Sequence, residues 1–237
     1  MRKHLVWMLG LAVAVAAAGV ASAVQTERIT GTASPSKLPK TKRAPVALTF
    51  TTGPHGSVGS PLSATTRAQI LIDDEFAFFN RGLASCSVSS INGRSTSAAK
   101  AACARAQVGA GSASANIGGV TVPVTVTAFN GGPGVLLLHS APSIGSPVVL
   151  VGRIRGASGD FGIRLDVTIP PLAGGVGILT GLRVKLQKTY RFRGKRRSFL
   201  SAKCGDRNRK LNYKGTFNFA DGTSLTVTDT QTCRVRR

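Results

Sequence analysis

The chain has 237 residues, with 31 Lys and Arg against 9 Asp and Glu, and its formal net charge is +22. A hydrophobic content of 42% can fill a core, and 28 glycines with many Thr, Ser and Val residues favour short strands and tight turns over a helical fold. So large an excess of positive charge favours polyanionic partners. The alternative is that the charge only keeps a Gly- and Val-rich β-protein soluble.

The first 23 residues have the three parts of a signal peptide. Basic residues 2–4 precede an apolar run over 5–20, and residues 21–23, Ala-Ser-Ala, suit signal peptidase. We predict cleavage before Val24 and a soluble product that is secreted, extracellular or associated with the cell envelope, without a membrane span. The alternative is an uncleaved anchor, because residues 5–24 are just long enough to cross a bilayer. Cleavage removes Arg2 and Lys3 and leaves a net charge near +20.

The segment that follows has a different composition. Residues 24–44 contain two prolines and five Lys or Arg side chains but no apolar periodicity. Such a segment buries too little apolar surface to offset the entropy of ordering it. We therefore predict a disordered basic linker over 24–44, followed by a single β-rich domain over 45–237.

Alternating apolar residues and turn signals divide that domain into strands. One helix is predicted where an alanine-rich run follows Thr96 and ends at Arg105. The clearest hairpin has the turn Asp221-Gly222 between two alternating segments. Together these signals predict an all-β fold, a single antiparallel β-sandwich or barrel-like domain of about ten strands with one short helix. The predicted strands cover 46–51, 67–79, 107–116, 120–129, 135–140, 147–155, 161–169, 176–192, 198–204, 211–219 and 224–233.

The four cysteines, Cys86, Cys103, Cys204 and Cys233, all lie in the exported part of the chain. An even number of cysteines in an oxidising compartment indicates disulfides, and three pairings are possible. The pairing Cys86–Cys103 with Cys204–Cys233 closes the smallest loops, so it is the one we predict. A metal site is disfavoured because the chain has no C-x-x-C pair and no Cys/His cluster.

Several separated motifs extend from residue 38 to residue 233. They are Leu38-Pro39-Lys40, Ala44-Pro45-Val46, Gly82-Leu83 before Cys86, Val108-Gly109-Ala110-Gly111-Ser112-Ala113, Phe129-Asn130-Gly131-Gly132, Val135-Leu136-Leu137-Leu138-His139, Ile169-Pro170-Pro171-Leu172-Ala173-Gly174-Gly175, Arg193-Gly194-Lys195-Arg196-Arg197-Ser198, Ser201-Ala202-Lys203-Cys204 and Phe219-Ala220-Asp221-Gly222-Thr223. Their order resembles an uncharacterised family of secreted bacterial β-rich proteins. The resemblance implies no known activity, so it assigns no catalytic residue.

The sequence offers little for catalysis. His55 lies in a Gly/Pro turn and His139 in an apolar strand, where a structural role is the simplest interpretation, and no G-x-S-x-G motif occurs. The acidic run 73–75 is interpreted as a solvated strand end that pairs with Arg67 or Arg81; calcium binding is the alternative. We therefore expect a protein that is not an enzyme, with no catalytic residue, cofactor or metal ion.

A run of cations near the C-terminus is the strongest candidate for a binding surface. Aromatic residues are expected to point inward there, which argues against sequence-specific binding of nucleic acid and favours attachment to an anionic cell-wall polymer or polysaccharide. A second hypothesis is a carrier or sensor that holds an apolar ligand in a barrel or sandwich cavity. The cations of the predicted polyanion-binding patch are Arg183, Lys185, Arg191, Arg193, Lys195, Arg196 and Arg197.

Overall fold

A computed structural model describes residues 25–55 and 62–236, so the predicted signal peptide lies outside the described residues. The helices are α1 (Val88–Ile91) and α2 (Thr96–Cys103), and single 3-10 turns cover Ala104–Ala106 and Ala173–Gly175. The strands are β1 (Thr26–Ser34), β2 (Lys37–Leu38), β3 (Ala44–Pro45), β4 (Ala47–His55), β5 (Thr65–Asp73), β6 (Phe76–Phe78), β7 (Gln107–Ile117), β8 (Val120–Asn130), β9 (Val135–Pro142), β10 (Val148–Gly156), β11 (Phe161–Thr168), β12 (Gly177–Leu186), β13 (Thr189–Phe192), β14 (Lys195–Ser198), β15 (Leu200–Ala202), β16 (Lys210–Phe219), β17 (Ser224–Thr232) and β18 (Arg234–Val235).

Eleven of these strands form one antiparallel sheet, in the order β1-β4-β12-β7-β8-β9-β10-β11-β5-β16-β17. The sheet curls until its two edge strands meet at a seam. There Asp229 of β17 accepts a hydrogen bond from the Gly31 N–H at 2.9 Å, and Gln231 accepts from the Ala33 N–H at 2.6 Å and donates to the Ala33 carbonyl at 3.0 Å. Side chains thus join the edges, and the sheet is a nearly closed barrel. The predicted all-β class is confirmed.

The barrel interior is the main core. Alternate residues of each strand point inward, and the predicted hairpin places Leu211, Tyr213, Phe217 and Phe219 on the buried face of β16. The ring of Tyr213 occupies the space beside Gly31, where an added Cβ would overlap it. The inward residue of β1 at this position is therefore a glycine, because the Tyr213 ring of β16 fills the volume in front of it.

The two ends of the barrel are built differently. At one end, which we call the open end, the strands are joined by residues 118–119, 143–147, 169–176 and 220–223, together with a connection between β4 and β5 that is described only from residue 62. At the other end the connections are longer and fold into helices and small sheets; they cover 35–46, 74–106, 131–134, 157–160, 187–209 and 233–236. We call this the basic end, because these connections carry 19 of the 28 Lys and Arg residues in the described chain.

Both disulfides lie at the basic end, and both have the predicted pairing. Cys86–Cys103 encloses the two helices, and Cys204–Cys233 joins the ends of the β16–β17 hairpin. The predicted helix is present as α2; Ser95 caps it by accepting a hydrogen bond from the Ala98 N–H. Two disulfides are typical of proteins in an oxidising compartment.

The structure corrects the sequence prediction in two places. Residues 26–34 form β1, an edge strand of the main sheet, so the segment 24–44 is not the predicted disordered linker. The long strand predicted over 176–192 is two strands: β12 ends at Leu186, and β13 belongs to a separate two-stranded sheet with β14. Within β12 itself the register shifts between Leu179 and Gly181.

Candidate functional site

The barrel encloses an apolar cavity near its open end. Eleven strands make a wider barrel than the eight that side chains can just fill, and the inward residues here include Ala113, Ala115 and Gly181. The larger chamber has a volume of about 350 Å³ and is lined by strands β7 to β10 and β12. This volume lies at the lower end of the range for small-molecule sites.

A second, smaller chamber adjoins the first. It has a volume of about 80 Å³ and reaches Leu136 and Leu186, toward the basic end. Five residues line both chambers, so they are neighbouring parts of one interior space. The shared residues are Leu138, Leu150, Ile169, Leu179 and Leu182.

The rim of the open end is also apolar. Ile144 is 70% exposed, Val176 63% and Val120 59%, and each lies in or beside a connection at this end. Ile144 also lines the larger chamber, which therefore reaches the surface between β9 and β10. None of the connections at the open end contains Lys or Arg. An apolar ligand could thus approach the cavity without passing a cation on these connections.

One carboxyl group lines the smaller chamber. Glu27 lies on the inward face of β1 and is only 8% exposed. Burial raises the pKa of Glu27 to about 7, although a hydrogen bond donated by the Gly53 backbone opposes this increase. Sequence reasoning missed Glu27. Its only signal was the alternation with Ile29, inside a segment whose other inward residues are Gly and Ala.

The predicted cationic patch is divided between two parts of the molecule. Arg183 and Lys185 lie on β12, on the outer wall of the barrel. Five cations lie on the β13–β14 hairpin, residues 189–198, which we call the basic hairpin. All five are exposed, and Arg191 is directly opposite Arg196. The cations of the basic hairpin are Arg191, Arg193, Lys195, Arg196 and Arg197.

Half-buried aromatic rings fix the basic hairpin to the end of the barrel. The Tyr190 hydroxyl donates hydrogen bonds to the Phe79 carbonyl at 3.2 Å and the Arg81 carbonyl at 3.0 Å. The Arg197 guanidinium lies 5.3 Å from the ring centre of Phe79, and Arg193 lies equally close to Phe192. The cations are therefore presented on a fixed support, and aromatic rings lie beside them rather than wholly inside the core.

An open cleft lies beside this support. It has a volume of about 840 Å³, and Arg43, Arg81 and Arg155 contribute its positive charge. Arg43 donates hydrogen bonds to the carbonyls of Asp74 and Glu75, which fixes its position. The basic end therefore combines exposed cations with a concave surface.

The acidic run 73–75 is not the solvated strand end that we predicted. Asp73 and Glu75 are both buried, and Asp73 accepts hydrogen bonds from the Glu75 N–H and from the backbone and side chain of Asn212. Arg67 pairs instead with Asp166 at 3.1 Å. Carboxylate oxygens of Asp73, Asp74 and Asp206 lie within 4.8 Å of one another. N–H donors occupy both Asp73 oxygens, and the bonds from Asn212 hold the β5–β6 turn against β16.

His139 lies under the helices on the outer face of β9. It is fully buried, and its Nε2 donates a hydrogen bond to the Arg94 carbonyl at 2.8 Å. It therefore ties the connection between α1 and α2 to the sheet, as expected for a structural histidine. The side chain of His55 lies outside the described residues.

No protein family, curated protein or solved structure matches the chain. Within residues 25–55 and 62–236, no helix is long and apolar enough to cross a membrane.

Proposed function

We propose that this protein is a secreted, non-enzymatic domain of the cell envelope that attaches through its basic end to an anionic wall polymer or polysaccharide. The supporting observation is the segregation of charge along the barrel. The connections at the basic end carry 19 cations against four acidic residues, whereas those at the open end carry no cation. Charge concentrated on one end produces a local field that a dispersed excess would not produce.

The cleft and the basic hairpin fit an extended polyanion better than a small anion. The cleft brings Arg81 and Arg155 together, and the basic hairpin adds five cations beside it. The polymer would contact several cations at once, so its binding should weaken steeply with salt.

The test compares two charge-reversed variants on a column of immobilised anionic wall polymer. The first changes the five cations of the basic hairpin to Glu. The second is the matched control, with the same change in net charge but on the barrel strands. If the basic end binds, the first variant elutes at much lower salt than the second; equal elution would mean that only total charge matters. The control cations are Arg28, Arg153, Arg183, Lys185 and Lys214.

The apolar cavity favours a second function, the binding of a small apolar ligand inside the barrel. An interior chamber of about 350 Å³ with an apolar rim is an arrangement that a purely structural barrel does not require. The test is isothermal titration calorimetry with octan-1-ol on the wild type and on Ala113→Leu, which narrows the larger chamber. Saturable binding to the wild type that the substitution weakens is expected. Absence of binding to the wild type would overturn this function.

A further inference from the structure

The most unusual group in the cavity is the carboxylate of Glu27. Its Oε2 atom is buried and has no hydrogen-bond partner. The walls of the chamber that it lines are otherwise almost entirely apolar, with Ile70, Leu138 and Phe217 among them. A buried carboxylate oxygen without a partner is destabilising, and folded proteins rarely leave one unpaired.

Glu27 is also next to an opening in the barrel wall. The seam between β1 and β17 is joined by Asp229 and Gln231 in the half nearer the basic end. In the half nearer the open end, residues 26–29 and 226–228 line an open cleft of about 580 Å³, and Glu27 lines that cleft as well. Its side chain therefore lies between a lateral opening and the interior chamber.

From this position we propose that Glu27 is the head-group site for an amphiphile whose apolar tail occupies the two chambers and whose head donates a hydrogen bond to the carboxylate. The proposal rests on the apolar-ligand function proposed above and adds the class of ligand. A hydroxyl or ammonium head would supply the partner that Oε2 lacks. A carboxylate or ether head would place acceptor against acceptor.

The size of the cavity limits the ligand. At about 30 Å³ for each water-sized group, the larger chamber of about 350 Å³ holds roughly a dozen non-hydrogen atoms. The smaller chamber, of about 80 Å³, adds room for two or three more beside Glu27. A single chain of eight to ten carbons with a small head group therefore fits within this volume, whereas a two-chain phospholipid does not.

The experiment compares four eight-carbon ligands by isothermal titration calorimetry on the folded, disulfide-bonded protein. At pH 8.5, above the raised pKa of Glu27, the side chain is ionised and only accepts hydrogen bonds. Under these conditions octylamine and octan-1-ol carry donor heads, while 1-methoxyoctane and octanoate carry only acceptors. We expect the two donor ligands to bind about tenfold or more tightly than 1-methoxyoctane, since a hydrogen bond to a charged group is a strong one. Octanoate should bind most weakly. The ratio of octylamine to octan-1-ol affinity then reports whether the charge of the head contributes.

Substitution of Glu27 separates this proposal from the function on which it rests. In Glu27→Leu the advantage of the donor ligands over 1-methoxyoctane should disappear, while 1-methoxyoctane itself binds at least as well as to the wild type. The matched control is Glu27→Gln, which keeps an acceptor oxygen and should retain part of the octan-1-ol affinity. If all four ligands bind wild type and Glu27→Leu equally, the cavity binds ligands but the head-group site is wrong. If none binds the wild type, the apolar-ligand function itself is wrong.

Discussion

The seam of the barrel gives the sharpest test of the structure. Gln231 accepts a hydrogen bond from the Ala33 N–H, donates one to the Ala33 carbonyl, and accepts a longer one from the Tyr213 hydroxyl at 3.5 Å. Replacing it with Leu removes these bonds and leaves both backbone groups of Ala33 without that partner. Ala33 is 1% exposed, so water does not readily replace the lost bonds.

The expected loss of stability follows from the two short hydrogen bonds between Gln231 and the Ala33 backbone. An unsatisfied buried donor or acceptor costs about 1–3 kcal/mol, and the leucine regains part of this through its own burial. Gln231→Leu should therefore lower the free energy of unfolding by about 2 kcal/mol. For a domain of this size, that corresponds to a decrease of roughly 5 °C in Tm.

Equilibrium unfolding in urea, with both disulfides intact, measures the effect. Thr228→Leu is the matched control, because it introduces the same side chain at an exposed position on the same strand. Its unfolding free energy should change by no more than about 0.5 kcal/mol. If Gln231→Leu is as stable as the control, then side chains do not hold the barrel edges together and our description of the seam is wrong.

Three further predictions concern single interior residues. Because burial raises the pKa of Glu27 from 4.5 to about 7, the folded state binds the proton more tightly than the unfolded state. The stability from this group is therefore complete below pH 4.5 and is lost as pH rises to about 7. Glu27→Gln should abolish that loss, worth about 3 kcal/mol, in urea unfolding across this range. Asp73→Ala leaves three N–H donors unpaired and should cost about 2–4 kcal/mol, measured in the same way. Gly31→Ala should cost about 1–3 kcal/mol, because its Cβ would overlap the Tyr213 ring. Gly156→Ala is the control, because its added Cβ meets open space. If Gly31→Ala is as stable as this control, the Tyr213 ring does not fill the space beside Gly31.

The sequence predicted the parts of this fold that depend on neighbouring residues. The β16–β17 hairpin has its signal in the Asp221-Gly222 turn and in apolar alternation, and the disulfides join cysteines that are close in sequence. Strand β1 was missed because its inward residues include Gly31 and Ala33, which show little apolar periodicity. The Tyr213 ring, nearly 200 residues away, leaves no room for a side chain at Gly31, and no local pattern contains that information.

The candidate sites were less predictable for the same physical reason. The cavity exists because eleven strands close a barrel whose inward side chains do not fill it, and that volume depends on the whole sheet. The predicted cationic patch assumed that Arg183, Lys185 and Arg191 share one strand ending at Phe192, but the chain leaves the barrel after Leu186. The alternation of apolar and polar residues correctly predicted which of these side chains are exposed. It could not show that Arg183 and Lys185 lie on a different surface from the cations of the basic hairpin.

The Cys204–Cys233 disulfide determines how the barrel wall can deform. It closes the hairpin of β16 and β17 into a covalent ring at the basic end, next to Gln231 and the closed half of the seam. The hairpin tip at Asp221-Gly222 has no such crosslink and lies at the open end. Hydrogen bonds from the backbone N–H groups of Ala220 and Asp221 to residues 63–64 hold the hairpin at that end. If they opened, β17 would pivot about its crosslinked base, and the cleft beside Glu27 would widen without global unfolding.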